Sequence, residues 1–375
     1  MTPLLALLIT AIYALCMIIF GIGFNRIPTF KTKQTKTKTR FSILIPFRNE
    51  EKNLPQMLSA IAALNYPEEA FEALFINDAS TDHSVKIIEN FSANSSLDVK
   101  ILETERVSVA PKKDALTTGV KHAKNPWILT TDADCIVPEL WLTYFDSYIQ
   151  ENNPNVICGP VKYLQKNTFL SRFQEFELLS LMSITLGAFG LKTPFMCNGA
   201  NLGFKKSLFL QINGYRNNNH IASGDDVFLL ESALSISKTK VHVLKSDAAA
   251  VSTSPEKTWH NIVQQRIRWA SKAASTKSSI NKTVGLVVLL MNVLLVCLTP
   301  LVLTQKINLF FALGIFAVKL ILDYRIITKS AVLFNSKIQT HTYLISGILY
   351  PFFSTFIAAY SFFMPYKWKD RRFFK

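Results

Sequence analysis

"WILTTDAD" at residues 127–134 runs from an aromatic and three β-favouring residues into two aspartates, Asp132 and Asp134, one residue apart. It reads as a strand that ends in a pair of carboxylates. Three similar stretches precede it: "FSILIPF" (41–47), "FEALFINDAS" (71–80) and "DVKILE" (98–103). Between them, "RNEEKNLPQMLSAIAAL" (48–64), "VKIIENF" (85–91) and "DALTTGVKHA" (114–123) carry helical spacing. Strands alternating with helices imply an α/β fold, a mostly parallel sheet flanked by helices on both faces. Ligands of such sheets bind at the carboxyl ends of the strands. Asp78, Asp132 and Asp134 all fall at such ends, which marks them as site residues rather than surface acids.

Beyond residue 135 the alternation loosens. "VICGPVKYL" (156–164) reads as one more strand. "FLSRFQEFELLSLMSITLGAFGL" (169–191) is amphipathic at one end and apolar at the other, which suits a membrane-surface helix or a buried core helix. "CNGANLGFKKSLF" (197–209) places two glycines around a short apolar run, as a backbone passing close to a ligand requires.

The ends of the chain have a different character. Residues 3–24, "PLLALLITAIYALCMIIFGIGF", carry no charge and are long enough to cross a hydrocarbon core of about 30 Å. No basic segment precedes them and no small-residue cleavage site follows, so a span fits better than a cleaved signal peptide. The basic run "KTKQTKTKTR" (31–40) then places the following region in the cytoplasm and the N-terminus outside. Three more apolar stretches lie at 284–304, 307–324 and 343–363, the second with Lys319 and Asp323 near its end and the third with Pro351 inside. Four full spans put the C-terminus outside, whereas the basic tail "KWKDRRFFK" favours the cytoplasm. Either one segment is re-entrant or interfacial, or the count is off by one. The expected organisation is a transmembrane helix at 1–25, a basic linker at 26–40, a cytoplasmic α/β domain at 41–275, a transmembrane region of two or three segments at 283–366, and a basic tail at 367–375.

The chain has 375 residues, 41 of them Lys or Arg against 26 Asp or Glu, a net charge of +15. The basic clusters flank the apolar stretches, where anionic lipid attracts them, and no nucleic-acid motif is present, so no nucleic-acid partner is expected. The five cysteines show neither metal nor redox spacing. His83, His122, His220, His242 and His260 show no metal-ligand spacing and read as structural or surface residues, and Asp82 reads as a helix-start acid.

Two carboxylates at a strand end can share one hard cation, Mg²⁺ or Mn²⁺, together with substrate phosphates. A lone D-x-D is unspecific, but here it stands in an ordered series: "ILIPFRNEE" (43–51), "INDASTD" (76–82), "KKDAL" (112–116), the D-x-D, "NGANLGF" (198–204), "SGDDVFLL" (223–230) and "QQRIRW" (264–269). The series resembles the family 2 glycosyltransferases, inverting enzymes of the GT-A fold, over about residues 41–270. The flanking spans are similar to the membrane-bound branch of that family. The resemblance implies nucleotide or donor binding by Pro46, Asn49, Glu50, Asp78, Lys112, Asp132, Gln265 and Arg268. It implies a metal at Asp134 and Asp132, a catalytic base at Asp226 beside Asp225, and an acceptor-side Trp269. The chain departs from the family pattern at Asn77, where a second acid is usual, and at Asp225, where a glutamate is usual.

Other readings of the same residues stand beside these. "GDD" also describes a plain turn with an N-cap, "QQRIRW" also describes a basic helix face at a membrane interface, and Lys112 and Lys113 are also explained as solvated surface residues. The expected activity is transfer of a sugar from a UDP- or GDP-sugar to a lipid or lipid-linked acceptor at the cytoplasmic face of the cell membrane. The alternatives are a processive polysaccharide synthase and a non-catalytic nucleotide-binding membrane protein.

Overall fold

The structure, a computed structural model, describes residues 2–32, 36–221, 223–363, 366–368 and 371–373. In chain order the first elements are α1 (Pro3–Arg26), β1 (Phe41–Phe47), α2 (Leu54–Ala62), β2 (Phe71–Asn77), α3 (Ser84–Ala93), β3 (Val99–Glu103), α4 (Pro111–His122) and β4 (Trp127–Thr130). There follow β5 (Cys135–Ile136), α5 (Trp141–Asn152), β6 (Val156–Cys158), β7 (Val161–Tyr163), α6 (Phe169–Gly190), β8 (Leu202–Lys205), α7 (Lys206–Gln211) and α8 (Asp225–Ile236). The chain continues with β9 (Val241–Val243), β10 (Val251–Thr253), α9 (Trp259–Ser275), α10 (Ser279–Leu303), α11 (Leu309–Leu333) and α12 (Thr340–Phe363). These elements form two compact units, one of residues 28–164 and 196–254, the other of residues 1–27, 165–195 and 255–375. Two segments of the expected 41–275 region, 165–195 and 255–275, thus group with the long helices.

The first unit is built on a seven-stranded sheet of order β3-β2-β1-β4-β8-β6-β9. Strands β1 to β4 are parallel, as the βα alternation requires, and β8 enters antiparallel between β4 and β6. The interior strand β1 is covered on both faces and reads as an almost unbroken apolar run. Ile43 and Ile45 face a core shared with Met57 and Ile61 of α2, Ile88 of α3, and Trp141 and Phe145 of α5. Leu44 points the other way, where Gly119 of α4 approaches so closely that a Cβ there would lie 3.0 Å from the leucine methyls.

Two expected strands are shorter than the sequence suggested, and both end where the chain changes sheets. The hydrogen bond from Thr131 N to Leu44 O is the last on that edge of β4, and a turn closed by Cys135 N to Asp132 O then carries the chain into a small sheet of order β5-β10-β7. The D-x-D therefore sits on a turn, not on the strand. The expected strand at 156–164 breaks at Gly159-Pro160, because Pro160 has no N–H to continue a ladder. Its first half lies in the large sheet and its second in the small one. Asn201, fully buried, locks this crossing. Its Nδ2 donates to Pro160 O and Ala249 O, each at 2.8 Å, and its Oδ1 accepts from Trp141 Nε1 at 2.9 Å. Gly203, in the same motif, is required by packing rather than by a ligand, since a Cβ there would lie 2.7 Å from the Phe145 ring.

In the second unit α6 packs against α1 and α11, so the apolar stretch at 169–191 is an interior helix of this unit. Backbone meets backbone between α1 and α6: a Cβ on Gly23 would lie 2.2 Å from Gly187 O, and one on Gly190 would lie 1.9 Å from Gly23 O. Ser183 of α6 donates to Ile326 O at 2.7 Å on α11. Among the described residues three helices are long and apolar enough to cross a membrane, α1, α10 and residues 340–361 of α12. The expected span at 307–324 lies in α11, which carries Lys319, Asp323 and Arg325 and does not meet that composition. Lys319 and Asp323 pair with each other, and Tyr13 of α1 donates to Asp323. Residues 33–35 of the basic linker and residues 369, 370, 374 and 375 of the basic tail lie outside the described residues.

Replacing Asn201 by Ala removes a donor from the carbonyls of Pro160 and Ala249 and the acceptor of the Trp141 indole N–H, while Pro160 O keeps the N–H of Val251. The variant is expected to lose about 2–4 kcal/mol of stability, read as a lowered midpoint in denaturant unfolding.

Candidate active site

The first turn of α4 brings a lysine to the end of β4. Lys112 Nζ lies 2.6 Å from Asp132 Oδ1 and 3.4 Å from Asp225 Oδ2. One ammonium thus joins the first acid of the D-x-D to the acid pair that opens α8. Burial works against the lysine's charge, but the carboxylates of Asp132 and Asp225 outweigh it and hold the ammonium well above the usual lysine range.

Asp226 is buried, with Val227 N donating to its Oδ1 at 2.7 Å and Gly199 N to its Oδ2 at 3.2 Å. Gly199 is held in turn by Thr130 Oγ1, which donates to its carbonyl at 2.7 Å. A Cβ on Gly199 would lie 2.9 Å from Asp225 Oδ2 and 3.5 Å from Lys112 Nζ. The close approach expected of this glycine motif is therefore to the two acids and the lysine. Both aspartates lie in the first turn of α8, where the helix dipole favours negative charge. Tyr215 stands near them. Its burial, reinforced by Asp225 and Asp226, pushes the phenol well above its usual range.

Asp78 follows β2, two strands away along the same edge of the sheet. Arg106, just past the end of β3, donates from Nη2 to Asp78 Oδ1 at 2.5 Å. Arg48, just past β1, donates from Nη1 to the carbonyls of Asp78 and Ala79, each at 2.7 Å. Asn49 and Glu50 fasten the loop after β1 to the loop after β2. Asn49 adopts φ 52 and its Oδ1 accepts from Thr81 N at 2.8 Å, while Glu50 N donates to Ser84 Oγ at 2.8 Å. Pro46 lies within β1, opposite Ile76.

Among the residues singled out in the sequence, Lys112, Asp132, Asp225 and Asp226 form one cluster, and Asp134 adjoins it through Asp132. Gln265, Arg268 and Trp269 lie on α9, in the helical unit. There Gln265 Nε2 donates to Glu256 Oε1 at 3.3 Å, and one face of Trp269 carries the Arg266 guanidinium at 4.2 Å. The sequence reading missed Arg48 and Arg106. No motif contains Arg106, but its position directly after a strand, beside the strand that leads to Asp78, is a readable signal.

Asp132, Asp134 and Cys135 each offer one ligand atom, all within 4.8 Å of one another. The thiol is raised by burial and then by the charges of Asp134 and Asp132, so it stays protonated. The two carboxylates remain as a hard oxygen pair, and Asp134 is exposed, which leaves room for phosphate oxygens and water. This donor set fits Mg²⁺ or Mn²⁺. Two further polar atoms, Thr131 Oγ1 and Arg48 Nε, are buried with no hydrogen-bond partner among the described residues.

In a Lys112→Met variant Asp132, Asp225 and Asp226 lose their shared cation. Their mutual repulsion is then uncompensated, and a loss of about 1–3 kcal/mol is expected at neutral pH, read by thermal unfolding of variant and parent.

The sequence profile described as "Glycosyl transferase family 2" matches residues 42–210, and that described as "Glycosyl transferase family group 2" matches residues 127–365. A poly-beta-1,6-N-acetyl-D-glucosamine synthase of Staphylococcus epidermidis is 28% identical over 160 residues, 42% of this chain and 37% of that protein. The probable glycosyltransferase YdaM of Bacillus subtilis is 25% identical over 265 residues, 66% of this chain and 60% of that protein. The chain thus spans less than two thirds of the length of these relatives. The mannosyltransferase PcManGT of Pyrobaculum calidifontis, solved with GDP-Man and Mn²⁺, covers 97% of this chain and 99% of its own at 15% identity, with a TM-score of 0.61, a likeness of fold. The two profiles together take in the D-x-D turn, the acids of α8 and the helices that follow. With its GT-A-like sheet and long apolar helices at both ends, the chain belongs to glycosyltransferase family 2.

Proposed function

We propose that the protein transfers a sugar, with inversion, from a nucleoside diphosphate sugar to a lipid or lipid-linked acceptor at the cytoplasmic face of the membrane. The observation that carries this reading is the single ammonium of Lys112 between Asp132 and Asp225. It joins a phosphate-side motif to a base-side motif at the strand ends, where a donor has to lie between them.

Asp78 and Arg106 stand at the nucleoside end of the site, and Lys112 faces the diphosphate. A divalent ion on Asp132 and Asp134, Mn²⁺ or Mg²⁺, supplies charge neutralisation to the leaving diphosphate when bound. Mn²⁺ accompanies the donor in the mannosyltransferase of similar fold. Asp226, oriented by Gly199 N and Val227 N, accepts the proton of the acceptor hydroxyl. The acceptor oxygen bonds to the anomeric carbon as that carbon's bond to the diphosphate oxygen breaks, and the electron pair leaves with the nucleotide. Gln265 and Arg268 contribute to donor binding and Trp269 to the acceptor side, roles suggested by the family motif. The helices long and apolar enough to span a membrane support a membrane-borne acceptor. The polysaccharide synthase among the relatives supports a second reading, a processive enzyme. Product length after incubation with donor separates the two, one added sugar against a ladder.

Asp226→Asn keeps the shape of the base and removes its basicity. It is expected to lower transfer at least 10²-fold while nucleotide binding persists. Transfer at the parent rate would remove Asp226 from this role. Asp134→Ala is expected to abolish the Mn²⁺-dependent part of the thermal shift that UDP or GDP produces. Equal shifts for variant and parent would count against the metal assignment.

A further inference from the structure

Lys113, next to Lys112, is 1% exposed. A side chain of this type is almost never fully buried unless its charge is compensated. Its Nζ donates to the carbonyls of Asn218 and Ile221, each at 2.8 Å, and sits 4.4 Å from the centroid of the Phe228 ring. The two carbonyls belong to the segment that leads into Asp225 and Asp226, and Phe228 is on the helix that carries them. Gly214 at φ +56 and Gly224 at φ +87 bracket this segment. Tyr215 is buried at its start with its ring against Phe209, but Arg216, Asn217, Asn219 and His220 are exposed. With so little apolar burial of its own, the segment depends on polar contacts for a fixed conformation.

We propose that Lys113 is a positioning residue, which anchors residues 215–221 to α4 and thereby fixes Asp225 and Asp226 against Gly199. This rests on the proposed transfer reaction for its kinetic consequence, though not for the anchoring itself. Consecutive lysines then divide the work. Lys112 meets the acids directly, and Lys113 sets the loop from which those acids emerge. Two charge-assisted bonds to backbone leave the loop's side chains out of the anchor. Without the ammonium both carbonyls lose their link to α4, Asn218 O keeping only the local N–H of Ile221, and the bracketing glycines permit the segment to swing.

The test compares full-length, detergent-solubilised parent with Lys113→Met and Lys113→Arg. For Lys113→Met, amide exchange is expected to rise in peptides covering 215–221 and to stay unchanged in β1–β4. Turnover (kcat) is expected to fall on the order of 10- to 100-fold, with donor KM and the affinity for UDP or GDP in Mn²⁺ within about twofold of the parent. Lys113→Arg, which keeps charged donors, is expected to recover most of the turnover. Unchanged exchange at 215–221, nucleotide affinity that falls as far as kcat, or an arginine variant as poor as the methionine one would each overturn the proposal. If Lys113→Met does not fold, Lys113→Gln, which retains neutral N–H donors, is read by the same exchange criterion. A parent that transfers no sugar would sink the proposed reaction, and exchange at 215–221 would then decide the anchor alone.

Discussion

A lysine in the first turn of a helix is poorly placed, because the helix dipole already makes that end positive. Lys112 is stable there only because Asp132 and Asp225 face it. That pairing imposes an order on the sheet. β4 must end beside the start of α8, and β8 must enter antiparallel next to β4, so that Gly199 can lie between the acids and the hydroxyl of Thr130. Two helix N-termini meet in this arrangement with opposite side-chain charge, lysines on α4 and aspartates on α8. The aspartates gain from their own helix dipole what the lysines lose to theirs.

The helical unit is organised by a comparable set of buried polar contacts. Gln174 is fully buried and bonds the backbone of Glu256 in both directions, donating to its carbonyl at 3.0 Å and accepting from its N–H at 2.9 Å. An amide side chain here imitates one rung of a sheet and fixes the approach to α9. Arg266, 4% exposed, then pairs with Glu177 at 2.7 Å. Within "QQRIRW" the structural work falls to Arg266 and the backbone, and Arg268 is only partly buried. A motif helix of this kind is held by residues that the motif does not name.

The parallel half of the sheet was readable because each of its strands is a compact apolar run followed by a helical pattern. β1 matches its expected range residue for residue, and β2 and β3 agree within a few residues. The D-x-D was expected on the strand and lies on a turn, since nothing in "TTDAD" announces that Cys135 and Ile136 will pair with a different sheet. The break at Gly159-Pro160 has a signal in the sequence, the proline itself, within a stretch whose apolar run otherwise reads as one strand. The cluster of Lys112, Asp132, Asp225 and Asp226 followed from motif order. Arg106 and Lys113 did not, because their importance lies in contacts made across the fold: an ion pair to a neighbouring strand end and two bonds to a distant loop. Lys113 illustrates the difficulty, since a lysine beside a lysine in sequence reads as solvated surface and here is among the most deeply buried side chains of its unit.

The glycine seam between α1 and α6 means that the leading helix is more than a tether. Gly23, Gly187 and Gly190 bring two backbones into direct contact, an approach that no larger residue permits. A foreign anchor grafted in place of α1 would supply hydrophobicity but not that groove, and α6 would be left with an apolar flank facing water or lipid. Truncated versions designed for solubility would meet the same exposed flank, so solubilising this chain calls for keeping its first helix or redesigning the sixth.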